Sequence, residues 1–193
     1  MSQLNSSYWQ DRYEKNLTGW DVGEITTPLR EYFDQLDNKQ TQILIPGAGN
    51  AYEAEYLHQK GFTNVFVIDI AKAPLENIMN RCPEFPKEHL ILGDFFEHQG
   101  LYDLIIEQTF FCALEPSLRQ QYAEKMASML RQNGKLVGLL FDREFDGGPP
   151  FGGCADEYRG YFEKHFRFKV FETSRNSIHP RKGTELFMIL EKL

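Results

Sequence analysis

Residues 43–54 read ILIPGAGNAYEA: an apolar run, two glycines one residue apart, then a stretch fit to become a helix. Gly47 and Gly49 allow a tight turn and a close backbone approach to a ligand, and Asp69 lies where an acid would accept from ribose hydroxyls. This pattern suits a nucleotide-like ligand. Alone, it is also compatible with a bare tight turn and a solvated acid at a strand end.

A dinucleotide fingerprint asks for a third glycine at position 52, where this chain has Tyr52. That weakens an NAD reading. S-adenosylmethionine has no pyrophosphate, yet still needs a glycine turn and an acid for its ribose. Further on, LGDFFEH supplies Asp94 for an adenine amino group and Phe95 for the face of the ring, although Phe95 also reads as ordinary core. EQTFF ends a further apolar run and is expected at the same height.

The elements that must carry these residues are legible from periodicity. Strands are expected at 41–45, within NVFVIDI, in HLILGD, in YDLIIEQ and in GKLVGLLF. Helices are expected in NAYEAEYLHQKG, in PLENIMNR and from Ser117 to Arg131, where Leu118, Tyr122, Met126, Met129 and Leu130 recur at core spacing. FRFKVFE and ELFMILE read as an antiparallel pair. The sum is an α/β fold: a Rossmann-like, doubly wound, mostly parallel sheet with an antiparallel C-terminal edge strand and helices on both faces. Residues 1–193 read as one domain, with 41–193 as the core and the Trp- and Tyr-rich segment 1–40 as a lid or cover.

Composition narrows the partners. The net charge of −7 disfavours nucleic acid, which demands clustered Lys and Arg, and points to a small molecule. No stretch approaches the ~20 apolar residues of a membrane helix. The polar start MSQLNSSYWQDRYEK carries no secretory signal, so the expected location is cytoplasmic, and the expected state is a monomer. Three cysteines without CxxC spacing and five histidines without HxxxH or HExxH spacing give no metal site.

Taken in order, YWQDRYEKNLTGWDVGEITTPL, LIPGAGNAYEAEYL, VIDIAKAPLE, YDLIIEQTFFCALEPSLR, GKLVGLLF, DGGPPF and HPRKG resemble the class I S-adenosylmethionine-dependent methyltransferases of the thiopurine methyltransferase superfamily. The resemblance is closest to the halide and thiol methyltransferase branch and covers nearly the whole chain. It implies that Trp9, Tyr13 and Trp20 fold over the methyl donor, with Tyr13 standing where the family often has Trp. It also implies donor contacts at Gly47, Asp69, Asp94, Phe95 and Gln108, joined by Gly49 from the turn. On the acceptor side it implies walls from Phe110, Phe111 and Phe151, the last in place of a Tyr common in that branch. Arg181 matches a basic segment near the family's pocket, or else is a solvated hairpin Arg.

The implied reaction is an in-line methyl transfer to a small sulfur or halide nucleophile: thiol, bisulfide, thiocyanate or halide. Such an acceptor arrives ionised, so no catalytic acid or base is assigned, and only His179 or Asp21 stand as candidates for a base. Cys112 reads as a buried thiol rather than a nucleophile. The alternatives are an aryl thiol such as a thiopurine, a metalloid oxyanion, or binding of the donor without catalysis.

Overall fold

The computed structural model describes residues 4–193; the first three residues of the expected 1–40 cover lie outside them. Seven strands form one mixed sheet in the order β3-β2-β1-β4-β5-β7-β6. The chain divides into two units, one ending at His98 and the other beginning at Gln99.

In the first unit, α1 (Ser6–Glu14) and α2 (Thr27–Phe33) precede β1 (Ile43–Pro46). Then come α3 (Tyr52–Gln59), β2 (Val65–Asp69), α4 (Lys72–Arg81), a 3₁₀ turn at Lys87–His89 and β3 (Leu90–Leu92). Asn5 starts α1 by accepting from the Tyr8 N–H at 3.0 Å, and Pro28 sits at the start of α2, where its missing N–H costs nothing. Ile43, Leu44 and Ile45 are buried throughout, as a parallel strand covered on both faces requires. The pairing is parallel, with Ile43 opposite Val65 and Val67 opposite Leu90.

The second unit runs through β4 (Tyr102–Gln108), two 3₁₀ turns (Phe111–Ala113 and Pro116–Leu118), α5 (Arg119–Met129) and β5 (Leu130–Phe141). It closes with α6 (Ala155–Phe162), β6 (Phe166–Thr173), a 3₁₀ turn at His179–Arg181 and β7 (Glu185–Lys192). β4 and β5 are parallel; β7 pairs antiparallel with both β5 and β6. The last strand in sequence therefore enters the sheet one place inside its edge. A core of Phe111, Tyr122, Tyr158, Phe162 and Phe166 lies beneath, with Phe111 and Tyr122 ring centres 5.1 Å apart.

Two expectations shift. The helix expected from Ser117 to Arg131 is split: Pro116–Leu118 form a 3₁₀ turn, the helix ends at Met129, and Leu130 already pairs with Tyr102. Leu130 is fully buried, so its apolar character matched helix and strand alike. Gly134 lies inside β5, next to Asn133 at φ 61° and near the pairing irregularity between Tyr102 and Leu104. α6 was not expected; the Asp142 carboxylate receives the Ala155 N–H at 3.2 Å at its start.

Gly138 lies opposite Glu107 in the β4–β5 pairing, and a Cβ there would overlap the Glu107 carbonyl. Because backbone cannot yield as a side chain does, Gly138→Ala is expected to destabilise the chain by roughly 1–3 kcal/mol in urea unfolding. An unchanged midpoint would contradict the close approach of these strands.

Candidate functional site

The strand-end turn after β1 holds three left-handed residues in alternation: Gly47 at φ 54°, Gly49 at φ 53° and Ala51 at φ 56°. Gly47 N–H donates to the Ile68 carbonyl at 2.8 Å, tying the turn to β2. A Cβ on Gly49 would stand 3.2 Å from the Tyr13 hydroxyl and 3.9 Å from Trp20 Nε1. The backbone of the glycine turn thus faces the N-terminal aromatics. Trp9, Tyr13 and Trp20 form one edge-to-face cluster, with ring centres 5.6 Å (Trp9–Trp20) and 5.9 Å (Tyr13–Trp20) apart.

Asp69, at the end of β2, is only 8% exposed, which removes the alternative of a solvated strand-end acid. Its Oδ1 accepts the Ala71 N–H at 2.8 Å, and the N–H groups of Gly49 and Ile70 also act on it. Burial outweighs these donors and pushes its pKa up to about 6. Burial, with Asp69 nearby, also raises the Tyr13 phenol. Trp9, Tyr13, Trp20, Gly47, Gly49 and Asp69 are therefore one connected set. Gly93 N–H donates to the Asp69 carbonyl at 3.0 Å, which sets the start of the Asp94–Phe95 segment beside the end of β2. Asp94 is exposed and accepts the Phe96 N–H at 2.8 Å; Phe95 is buried.

Polar side chains hold this set, and apart from Asp21 the sequence did not single them out. Asn50, between the glycine turn and α3, donates to Asp21 and accepts from Asn77 at 2.7 Å. Asp21 also takes the Gly23 N–H at 2.7 Å and the Tyr52 hydroxyl at 3.4 Å, so it is bound into structure rather than available as a base. α4 lacks its own side-chain cap; Gln10 of α1 supplies one, accepting the Lys72 and Ala73 N–H groups at 2.9 and 3.0 Å. The signal for these polar residues was weak, because exposed polar residues are common in turns.

In the second unit, Glu107 is wholly buried near the end of β4. Its Oε1 accepts the Phe110 N–H at 2.7 Å and the Phe111 N–H at 3.0 Å, and its Oε2 accepts the Tyr122 hydroxyl. Burial pushes its pKa up to about 7. The turn it holds contains Thr109 at φ 61°, an unusual conformation for a β-branched residue. An acid inside the apolar run YDLIIEQ was the signal for it.

The turn sets Phe110 half-buried and Phe111 at 1% exposure, facing Tyr122, Tyr158 and Phe162. Phe151 N–H donates to the Cys112 carbonyl at 2.7 Å, bringing the GGPPF loop onto the same turn. That loop contains cis peptide bonds before Pro149 and Pro150. A Cβ on Gly148 would overlap the Phe151 ring, so glycine is what lets the ring settle there. Arg181 is no solvated hairpin residue: it is 8% exposed, 3.3 Å from Glu185 and 5.4 Å over the Phe141 ring. Its charge reaches Cys112, whose thiol burial nevertheless pushes well up, so a methyl-accepting thiolate is disfavoured. Gln108 is half-buried at the end of β4, and His179 is exposed. Phe110, Phe111, Phe151 and Arg181 thus surround one turn.

Burial raises the Glu107 pKa from its ordinary carboxylate range to about 7 in the folded chain. The folded chain holds the proton over that window and the unfolded chain does not, so folding stability falls as pH rises through it, by on the order of 3 kcal/mol. Asp69 adds a smaller fall that is complete by about pH 6. Unfolding at pH 5, 6, 7 and 8 should therefore show a decline that flattens above pH 6 in Glu107→Gln. Parallel profiles for the two proteins would refute it.

Known proteins resemble the chain along nearly its whole length. The chain is 29% identical over 192 residues to a probable thiol methyltransferase 2 of Arabidopsis thaliana, covering 96% of this chain and 84% of that one. It is 28% identical over 184 residues to thiocyanate methyltransferase 1 of Brassica oleracea, covering 92% and 81%. Among solved structures, the Burkholderia thailandensis 1,6-didemethyltoxoflavin-N1-methyltransferase with bound S-adenosylhomocysteine superposes with a TM-score of 0.75 at 16% identity, over 97% of this chain and 86% of that one; this shows the fold. The thiopurine S-methyltransferase (TPMT) family matches residues 4–193, and the chain belongs to that family of S-adenosylmethionine-dependent methyltransferases.

Proposed function

We propose that this enzyme methylates a small sulfur or halide nucleophile that arrives already ionised: thiocyanate, bisulfide, halide or the thiolate of a small thiol. One observation carries the reading. The buried ionisable groups around the acceptor-side turn are committed to internal partners. Glu107 takes two backbone N–H groups and a phenol, and Glu185 pairs with Arg181. Tyr158 donates to the Phe141 carbonyl at 2.8 Å, and Cys112 donates to the Thr109 carbonyl at 3.2 Å. Aromatic rings face the acceptor, and a nucleophile that needs no deprotonation suits such walls. The thiol and thiocyanate methyltransferases among the relatives support the same acceptor class.

The residues fit the methyl donor. Asp69 is a buried acid with backbone donors on one side, suited to accept hydrogen bonds from ribose hydroxyls. The glycine turn leaves room under Tyr13 and Trp20 where a side chain would intrude. S-adenosylmethionine, when bound, supplies a sulfonium methyl for in-line displacement. Trp9, Tyr13 and Trp20 exclude water from it. Gly47 and Gly49 admit its backbone-hugging portion, while Asp94, Phe95 and Gln108 flank it. Phe110 and Phe151 strip water from the anion and hold it close to attack distance, with Phe111 backing the wall and Arg181 contributing positive potential. The N-terminal aromatic segment acts as cover.

The test is S-adenosylhomocysteine formation with thiocyanate, bisulfide, iodide and an aryl thiol, with methyl products collected from the headspace. Turnover on the small anions is expected; turnover on the aryl thiol alone would move the chain to a thiopurine-like acceptor. With a simple thiol, kcat/KM should rise about tenfold per pH unit until the thiol's own pKa, near 8.5 for a cysteine-like thiol, because the enzyme supplies no base. With thiocyanate it should stay flat from pH 7 to 9. A thiol profile that levels off well below the thiol's pKa would reveal a base and contradict the mechanism.

A further inference from the structure

Arg119, the first residue of α5, is a buried cation, its side chain 2% exposed. Nη1 pairs with Glu157 Oε1 of α6 at 2.7 Å, while Nη2 donates to the Gly152 carbonyl at 2.7 Å and reaches the Phe151 carbonyl at 3.4 Å. The guanidinium lies 5.0 Å from the Phe111 ring centre and 5.5 Å from that of Tyr158. An ion pair with Glu157 alone would anchor α5 to α6. The second arm does something else: it takes the carbonyls at and just after Phe151. On the other side, the Phe151 N–H is fixed to Cys112, and its ring fills the space that a side chain on Gly148 would occupy. Phe151 is thus held from both ends of its own backbone, and Arg119 is the one charged group in that clamp.

We propose that Arg119 is a positioning residue that fixes the Phe151 wall through the Phe151 and Gly152 carbonyls, and so sets acceptor selectivity without touching the acceptor. This rests on the reading of Phe151 as an acceptor wall. The planar fork is the necessary feature. A lysine keeps the charge beside Glu157 but not two directed arms.

The experiment is a double-mutant cycle of Arg119→Lys and Phe151→Ala, read as the ratio of kcat/KM for thiocyanate to that for an aryl thiol. Donor KM and Tm are followed in parallel. R119K is expected to leave donor KM unchanged and to move the ratio by about tenfold or more, since small misplacements at a remote support are costly. In the F151A background R119K should add nothing, because both changes act on one wall. Glu157→Gln, which loosens only the anchoring arm, should lower Tm and leave the ratio alone; this arm remains informative if R119K fails to fold. The proposal is overturned by an R119K effect that persists undiminished in F151A, by equal losses on both acceptors, or by a changed ratio in E157Q. An unchanged ratio in F151A itself overturns both the wall and its positioning, whereas a changed ratio there with none in R119K overturns the positioning alone.

Discussion

Two carboxylates, buried at or next to the ends of parallel strands, organise the turns on which the proposed chemistry depends. Where a parallel strand stops, the following backbone N–H groups lose their ladder partners, and leaving them unpaired in a dry interior is costly. Asp69 takes up that role after β2, binding Ala71 N–H with Gly49 and Ile70 alongside; Glu107 does the same near the end of β4 for Phe110 and Phe111. Each acid is desolvated, and each is pushed up towards neutrality, to about 6 and about 7 respectively. Lost hydration, and with it ready ionisation, is the cost of shaping a turn that backbone hydrogen bonding alone would not hold. One turn lies beside Tyr13 and Trp20, and the other carries Phe110 and Phe111.

The N-terminal aromatic segment is joined to the glycine turn and to the end of β2 by directed polar contacts as well as by ring packing. Ser6 donates to the Ile70 carbonyl at 2.8 Å, just past Asp69, and Gln10 caps α4 from α1. Asp21 reaches the glycine turn through Asn50. The α1 contacts end on the backbone of Ile70, Lys72 and Ala73, and Asp21 ends on the Asn50 side chain beside Gly49, so placing the N-terminal segment also places both turns. Tyr13 sets its hydroxyl over Gly49, with Trp20 Nε1 nearby, so polar atoms of the aromatic segment meet the glycine turn directly.

The strands were legible because β1, β2 and β4 are buried on both faces and read as continuous apolar runs, and β4 matches its expected limits residue for residue. The end of α5 was not, since Leu130 serves a helix face and a strand equally well. The glycine turn and Asp69 announced themselves by type and spacing. Asp94 and Phe95 were picked out by type, whereas Gln108, Phe110, Phe111, Phe151 and Arg181 came from resemblance. The residues that hold the turns escaped notice: Arg119 and Gln10 act on backbone far along the chain, Glu107 turns back on N–H groups three and four residues on, and periodicity carries no record of such partners. The acid in YDLIIEQ and the arginine before a buried helix were nonetheless visible as charges in apolar surroundings, which demand a partner.

The most direct test of this account is the affinity of S-adenosylhomocysteine as a function of pH, by calorimetry, for the native chain and for Asp69→Asn. If ribose hydroxyls bind the ionised carboxylate, affinity in the native chain is full above about pH 6 and is lost progressively as pH falls through that value, while Asp69→Asn binds weakly with no such dependence. Native affinity that stays level from pH 5 to 8, or an Asp69→Asn variant that binds as tightly as the native chain, would contradict the assignment of the buried strand-end acid to the donor.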